Sequence, residues 1–372
     1  MSTSSTLVRF NKLLQRSDGA ISVLVVFLGF VCSTLIIIGS GRNPLGLYKA
    51  LVQVVSGYNI DRGIWNFRYV GEWLATSVPF ILCGLSMGFA ARTGLFNIGA
   101  EGQYVVGMTV AQCVALFAPQ LPVVHWVLAL ILAMAGGAFW GSIVGFLKAR
   151  YEVSEVVATI MLNYIALYLS RILIMQIPGT STFRTVSYPA TALLRSEPLR
   201  ALTGGSQLNQ GFFFALVAVA LYWFIIERTR LGFSLRATGF NKEAARCSGI
   251  PVNRSIVSSM AIAGAFAGLA GGVVALGSFS FGRVLAGNDG YGFAGIAVAL
   301  VGNSHALGTL LAGLLFGMLN SAQPLMERTI PKEVIFITQG LIVIFIAIRA
   351  GFRIIAARLA KRSEARTEAV NG

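Results

Sequence analysis

An all-α, polytopic membrane protein is the fold class this sequence predicts, and three observations carry the prediction. Ten predominantly apolar runs follow one another between residues 21 and 348, most of them near the length that crosses a bilayer. Only 12% of the residues are charged, about half the share of an ordinary soluble domain, and mean hydropathy is +0.75. Basic side chains collect at alternate ends of the runs, the pattern that orients spans in a membrane.

The first run, 21–38, follows Arg9, Lys12 and Arg16 and so looks like a secretory leader. Its 18 residues, and the Gly-Ser-Gly-Arg after it in place of a small-x-small cleavage site, predict instead an uncleaved span. The next runs are 72–90, 98–117, 123–147, 153–177, 212–226 and 256–277. Two short, glycine-interrupted runs follow, 292–301 and 307–320, and 334–348 closes the series. With residues 1–20 in the cytoplasm and strict alternation, eighteen of the 29 Lys and Arg fall on inner segments, ten on outer ones, and Arg171 within a run. Both termini come out cytoplasmic, residues 21–350 form one transmembrane domain, and residues 351–372 form a basic cytoplasmic tail. This placement accounts for the net charge of +15, so nothing points to nucleic acid.

Glycines recur four apart at Gly137, Gly141 and Gly145, at Gly264, Gly268 and Gly272, and at Gly313 and Gly317. Each series puts a small-residue stripe on one helix face, which predicts close packing within the bundle or against another subunit. Two outer segments are long. The first, 40–71, carries Trp65, Phe67 and Tyr69 and suits an interfacial helix; the second, 178–211, either caps the bundle or receives an external protein.

The inner segment 227–254 holds a polar island. Asn241 suits a helix cap, Glu243 lies in the first turn where the helix dipole favours an anion, and Gly249 with Pro251 stops the chain. A helix over 241–248, about two turns long, is too short to persist alone in water.

Polar groups also enter the apolar runs. Asn97, Glu101 and Gln103 stand among Gly94, Gly99, Gly102 and Gly107. A buried carboxylate costs several kcal/mol unless paired or neutralised, so Glu101 either faces a water path or caps a neighbouring helix end. Asn163 and Tyr164 lie mid-run, with Arg171 two turns later. Phe279, Phe281, Asn288, Asp289 and Tyr291 ride a glycine-rich connection. Aromatic faces beside amide and carboxylate groups suit stacking and hydrogen bonding of a flat polar solute, although Phe in a membrane commonly faces lipid or core. His125 and His305 are isolated, and no residues have metal-ligand spacing. The four cysteines contain no CxxC and are expected as free thiols. Neither HExxH nor GxxxxGK[ST] occurs, so no catalytic set is predicted and the chain does not cradle ATP phosphates by itself.

These stretches together carry a family resemblance. Glu243-Ala244-Ala245-x-x-x-Gly249 is similar to the E-A-A-x-x-x-G loop of ABC importer permeases, a weakly specific motif alone. "GLFNIGAEGQ", "EVVATIMLNYIA", "GYGFAGIAVALVGNSHALGTLLAGLLFG" and "ITQGLIVIFIAIRAGFR" resemble the larger permease of bacterial nucleoside ABC importers. That branch belongs to a group that also moves ribose, other simple sugars and branched-chain amino acids. The resemblance runs over residues 71–352 and departs at Ser304-His305, where the pattern has Asn-Pro.

The resemblance implies a multi-pass subunit of the bacterial inner membrane that carries nucleosides and performs no bond chemistry. Its implied partners are a second permease in a heterodimer, a cytosolic ABC ATPase and an extracytoplasmic solute-binding protein. The chain itself would bind no cofactor or metal, ATP and magnesium being held by the ATPase. Asn241, Lys242, Glu243, Ala244, Ala245 and Gly249 would form the coupling helix. Asn97, Glu101, Gln103, Asn163, Tyr164, Phe279, Phe281, Asn288, Asp289 and Tyr291 would lie nearest the path. A pseudo-repeat of spans 2–5 and 7–10 is implied as well. Simple sugars and riboflavin are the rival cargoes. The rival mechanism, an ion-coupled secondary transporter using Glu101 or Asp289, has no need of a capped cytosolic helix.

Overall fold

The computed structural model describes residues 18–348, so the basic residues before Asp18 and from Arg349 onward lie outside the described residues. Each of the ten apolar runs is helical. In chain order the helices are α1 (Asp18–Gly39), α2 (Leu45–Ser56), α3 (Arg68–Ala91), α4 (Ala100–Phe117), α5 (Val124–Tyr151), α6 (Glu155–Met175) and α7 (Glu197–Leu202). They continue with α8 (Gly211–Arg228), α9 (Arg230–Phe240), α10 (Lys242–Cys247), α11 (Val252–Val273), α12 (Tyr291–Val301), α13 (Ala306–Met326) and α14 (Lys332–Ala347). Two small antiparallel pairs complete the description: β1 (Tyr58–Asn59) with β2 (Ile64–Trp65), and β3 (Arg184–Ser187) with β4 (Phe281–Arg283).

Among the described residues six helices are long and apolar enough to cross a membrane: α3, α5, α6, α8, α11 with its continuation to Ser278, and α13. Helix α4 falls outside this set because Glu101, Gln103, Thr109 and Gln112 dilute its apolar length. Helix α12 has 11 residues, about 16 Å at the α-helical rise, roughly half the hydrocarbon thickness of a bilayer.

Contacts divide the chain into two units. One comprises Met1–Ala50 and Ala322–Gly372; there α1 packs along α14, and the Thr34 and Tyr48 hydroxyls share a 2.6 Å hydrogen bond. The other, Leu51–Ser321, holds the remaining features discussed below.

Within Leu51–Ser321 the centre is α11, whose most extensive neighbours are α5 and α4. The glycine stripes explain why. A Cβ on Gly137 would lie 2.7 Å from the Gly268 Cα, one on Gly145 2.8 Å from the Val257 Cα, and one on Gly107 would overlap Gly268. The Gly264 and Gly137 backbones likewise meet. Gly313 and Gly317 of α13 receive Ile81 and Ser77 of α3, and Gly295 of α12 sits on Cys83. All three stripes therefore make contacts inside this chain. Helices α3 and α11 end up 78% and 83% buried, whereas α5, α6 and α8 are 33% buried and leave apolar faces outward.

Local chemistry sets the ends. Gly290 takes a left-handed φ of +84° immediately before α12. At the end of α11 the backbone widens into a π turn over Val274–Ser278, which leaves the Leu276 carbonyl to accept the Leu194 amide at 3.0 Å. The expected interfacial segment is built otherwise than its aromatics indicate. Its helix is α2, while Trp65 belongs to β2 and stacks between Tyr58 and Phe67 at 5.0 and 6.0 Å. The polar island contains one helix more than expected, α9, started by Thr229, whose hydroxyl accepts the Gly232 amide at 3.0 Å. All four cysteines are free.

Side chains at the glycine contacts would force helix backbones apart. Gly137→Leu is expected to lower thermal stability by about 1–3 kcal/mol or prevent folding, whereas Gly287→Ala, with nothing within 4 Å of its Cβ position, leaves the melting temperature unchanged in detergent.

Candidate functional site

The polar residues that enter the apolar runs separate into three groups with different surroundings. The first group holds the backbone. Glu101 lies in the first turn of α4 and is fully buried; its Oε1 accepts the Gly290 amide at 2.8 Å and its Oε2 the Gly292 amide at 2.6 Å. Those amides stand at the start of α12, where no intrahelical carbonyl is available. The carboxylate thus sits at two helix N-termini, each of which favours negative charge. Of the two roles open for Glu101, capping a neighbouring helix is the one its geometry performs. A Cβ on Gly292 would overlap the Glu101 backbone, so glycine there permits the approach.

Asn163 acts similarly on the other side of α4. Its Nδ2 donates to the Ile98 carbonyl at 3.1 Å and its Oδ1 accepts the Gly102 amide at 2.8 Å, tying α6 to the start of α4. Asn97 and Gln103 exchange reciprocal amide bonds of 2.9 and 3.1 Å, and Asn97 Nδ2 also donates to Ser86 Oγ at 3.1 Å. Ser86 stands in a Gly84-Leu85-Ser86-Met87-Gly88 run that spells G-x-S-x-G. It lies inside α3 bonded to these amides, without the strand-to-helix turn a nucleophile requires. Tyr164, adjacent to Asn163, is 52% exposed on the outward face of α6.

The second group forms a pocket of about 260 Å³ beside the π turn and the N-terminal half of α3. Phe279, Asp289 and Tyr291 line it, together with Arg283, Thr76 and Gln207. The Arg283 guanidinium grips Asp289 with both terminal nitrogens, at 2.7 and 2.8 Å, while the Tyr104 hydroxyl donates to Asp289 Oδ2 at 2.9 Å. Burial works against the Arg283 charge, but the hydrogen bonds and charge of Asp289 outweigh it and raise its pKa above the ordinary value. The bidentate contact sets the guanidinium charge directly against the carboxylate. Arg283 also stands 4.7 Å over the Phe279 ring, and the Tyr291 ring meets Phe80 edge-on at 5.2 Å. Phe281 lies outside the lining and faces Arg184 at 5.4 Å; Asn288 keeps a buried Oδ1 that accepts no hydrogen bond.

Arg283, Thr76 and Gln207 escaped sequence reasoning. Arg283 had a usable signal, being the lone cation on the connection that carries Asp289. Thr76 and Gln207 arrive from distant segments and had none.

The third group is the polar island. Asn241 Oδ1 accepts the Glu243 and Ala244 amides, each at 3.0 Å, to start α10, and Gly249 at φ +78° ends it. Ala245 is buried, whereas Glu243 and Arg246 pair on the surface at 3.1 Å. Glu227 fastens the loop to the bundle by accepting from Arg92, just beyond α3, and from Arg236 of α9, the latter at 2.8 Å. The pocket lies by the first half of α3 and the clamp just past its last residue, so α3, with Pro79 in its interior, runs from one to the other. His125 is satisfied within the core by Thr191 Oγ1 at 2.9 Å and the Val114 carbonyl at 3.1 Å. Among the described residues no group of His, Cys, Asp or Glu could hold a metal ion.

Comparison with known proteins gives a consistent result. The model of the family described as the permease component of branched-chain amino acid transport systems matches residues 69–347. The guanosine ABC transporter permease protein NupP of Bacillus subtilis is 42% identical over 323 residues, covering 84% of this chain and 93% of the relative. The nucleoside ABC transporter permease protein NupB of Lactococcus lactis is 35% identical, covering 88% and 90%. The glucose ABC transporter permease protein TsgB13 of Haloferax volcanii is 32% identical, covering 74% and 75%. No solved structure matches the chain.

Removing the Asn163 amide leaves the buried Gly102 N–H without its acceptor, which costs about 1–3 kcal/mol. Asn163→Ala is expected to lower thermal stability and folding yield while uptake per folded molecule stays within a factor of about ten. Unchanged stability with a larger loss of uptake would transfer Asn163 to the path.

Proposed function

The chain belongs to the family of permease components of branched-chain amino acid transport systems, and from that premise we propose that it forms the translocation path for nucleosides in an ATP-driven importer. It is an integral membrane protein and an ABC permease subunit, a transport component without an ATPase site of its own. The observation that carries the cargo is the likeness to two nucleoside permeases along 84% and 88% of the chain. The pocket agrees with it: Phe279 and Tyr291 offer faces to a flat base, and the neutralised Arg283–Asp289 pair offers polarity without net charge. A simple sugar, the cargo in the glucose permease's name, is the second reading and makes less use of the aromatic faces.

In this reading the ten apolar runs form one domain of the bacterial inner membrane over residues 21–350, with α12 crossing only about half of it and with both termini and the basic tail 351–372 in the cytoplasm. The pocket then opens to the outside, where an extracytoplasmic binding protein delivers solute, and α10 meets the cytosolic ATPase. A second, non-identical permease completes the path, and ATP with magnesium stays on the ATPase.

ATP binding closes the ATPase dimer and displaces α10. Because Glu227 ties the loop to Arg92 and Arg236, that displacement is passed to the end of α3. The external binding protein supplies capture, so the pocket needs modest affinity and fast release. Glu101, Asn97, Gln103 and Asn163 support the path by fixing the starts of α4 and α12, Asn288 and Phe281 lie on the connection that carries Asp289, and Tyr164, on the outward face of α6, is not part of it.

Nucleoside uptake into vesicles holding the reconstituted complex should follow ATP and survive collapse of ion gradients; uptake that tracks a gradient instead assigns the chain to ion coupling. Glu243 has a 76% exposed side chain, so Glu243→Lys should leave folding intact while placing a cation at the start of α10 and abolishing transport. An impermeant thiol reagent should label Glu197→Cys in intact spheroplasts and Cys247 only after permeabilisation; the reverse pattern inverts the topology.

A further inference from the structure

A second cleft, of about 620 Å³, lies between the end of α5, α10 and the start of α11. Four cations converge on it, Lys148, Arg150, Lys242 and Arg246, against two carboxylates, Glu152 and Glu243. Lys148 is engaged with Glu155 at 2.8 Å and Arg246 with Glu243 at 3.1 Å. Among the described residues neither Arg150 nor Lys242 forms an ion pair, although Glu155 is close enough to Lys242 to interact with it electrostatically. Arg150 instead stands 5.9 Å from the centroid of the Tyr151 ring, which is 64% exposed. The chain turns there through Glu152 in a left-handed conformation, φ +54°, uncommon for a residue with a side chain. That turn sets Arg150 and Glu152 on the wall facing α10.

We propose that this cleft receives an acidic surface segment of the ATPase subunit, so that the ATPase grips the permease on α10 and inside the cleft behind it. The proposal rests on the assignment of α10 as the ATPase-facing helix. Three features point to a protein segment rather than to lipid headgroups. The cleft shares Lys242, Glu243 and Arg246 with α10 itself. Its four cations line a single concavity. Its volume is more than twice that of the solute pocket, room for several side chains rather than one ion. The lining carries four cations against Glu152 and Glu243, with Glu155 beside Lys148 and close enough to Lys242 to act on it; the net positive charge that remains suits an entering carboxylate.

The test uses the complete complex, with ATPase retained on the affinity-captured permease as the readout. Double reversal, Arg150→Glu with Lys242→Glu, should lower retention at least tenfold and abolish ATP-driven uptake, with the two permeases still paired and thermal stability unchanged. Arg150→Lys should retain the ATPase normally, and Arg150→Gln should weaken it less than the double reversal. Retention by the wild-type chain should fall as salt rises. Retention in the folded double variant equal to wild type overturns the proposal. So does normal retention combined with uptake that has lost a wild-type dependence on anionic over zwitterionic vesicles, which assigns the cleft to headgroups. A wild-type chain that retains no ATPase removes the coupling assignment as well, whereas wild-type retention with an indifferent double variant removes only the cleft.

Discussion

A helix that begins inside an apolar body needs partners for its first amide groups, and the Glu101 carboxylate supplies them for α12. The two bonds, at 2.8 and 2.6 Å, satisfy amides at the start of this 11-residue helix, where no preceding turn supplies a carbonyl. Much else follows from this contact. The start of α12 fixes Asp289 and Tyr291 on its approach, and these form one wall of the pocket. Glu101 occupies the first turn of α4, so α4 must be held as firmly, which Asn163 does through the Ile98 carbonyl and the Gly102 amide. Glu101 is bonded by backbone amides rather than by a cation, and Arg283 pairs instead with Asp289.

Backbone contact at glycine makes these bonds possible. Gly102 admits Asn163, and Gly292 admits the Glu101 backbone. The Gly137, Gly264 and Gly268 crossing draws α5 and α11 close enough that α4 is enclosed against both. Small residues at such crossings gain van der Waals contact where helices cannot gain from excluding water. The outcome is a rigid interior in which most buried polar groups bond to backbone or to one another. The pocket lined by Phe279, Asp289 and Tyr291 lies beside the π turn, where the backbone is irregular.

Much of the fold was legible. Each apolar run is a helix, and the Asn241 cap, the Gly249 stop and the four-residue glycine stripes are all realised. These signals are local, depending on the residues within one or two turns. Helix α9 was missed because its composition is mixed and its stability comes from the Glu227–Arg236 clamp and from Gly239 against the Gly94 backbone. The candidate site was legible only in part. Residue type marked Phe279, Asp289 and Tyr291, but the same reasoning grouped them with Asn163 and Tyr164, adjacent residues that face opposite ways on α6.

The sequence by itself determined that this is a helical membrane protein, where its apolar segments lie, and that a capped two-turn helix interrupts them. Composition, periodicity and capping chemistry act within a few residues, so a single chain displays them in order. Only the tertiary structure decided what each buried polar group does. Glu101 could serve as a proton site, a path wall or a cap, and the choice depends on amides 189 and 191 residues away along the chain. Arg283 became a pocket residue because Thr76 and Gln207 were brought beside it. Hydrogen bonds of about 3 Å between residues far apart in sequence have no local signature, so three-dimensional placement had to assign them.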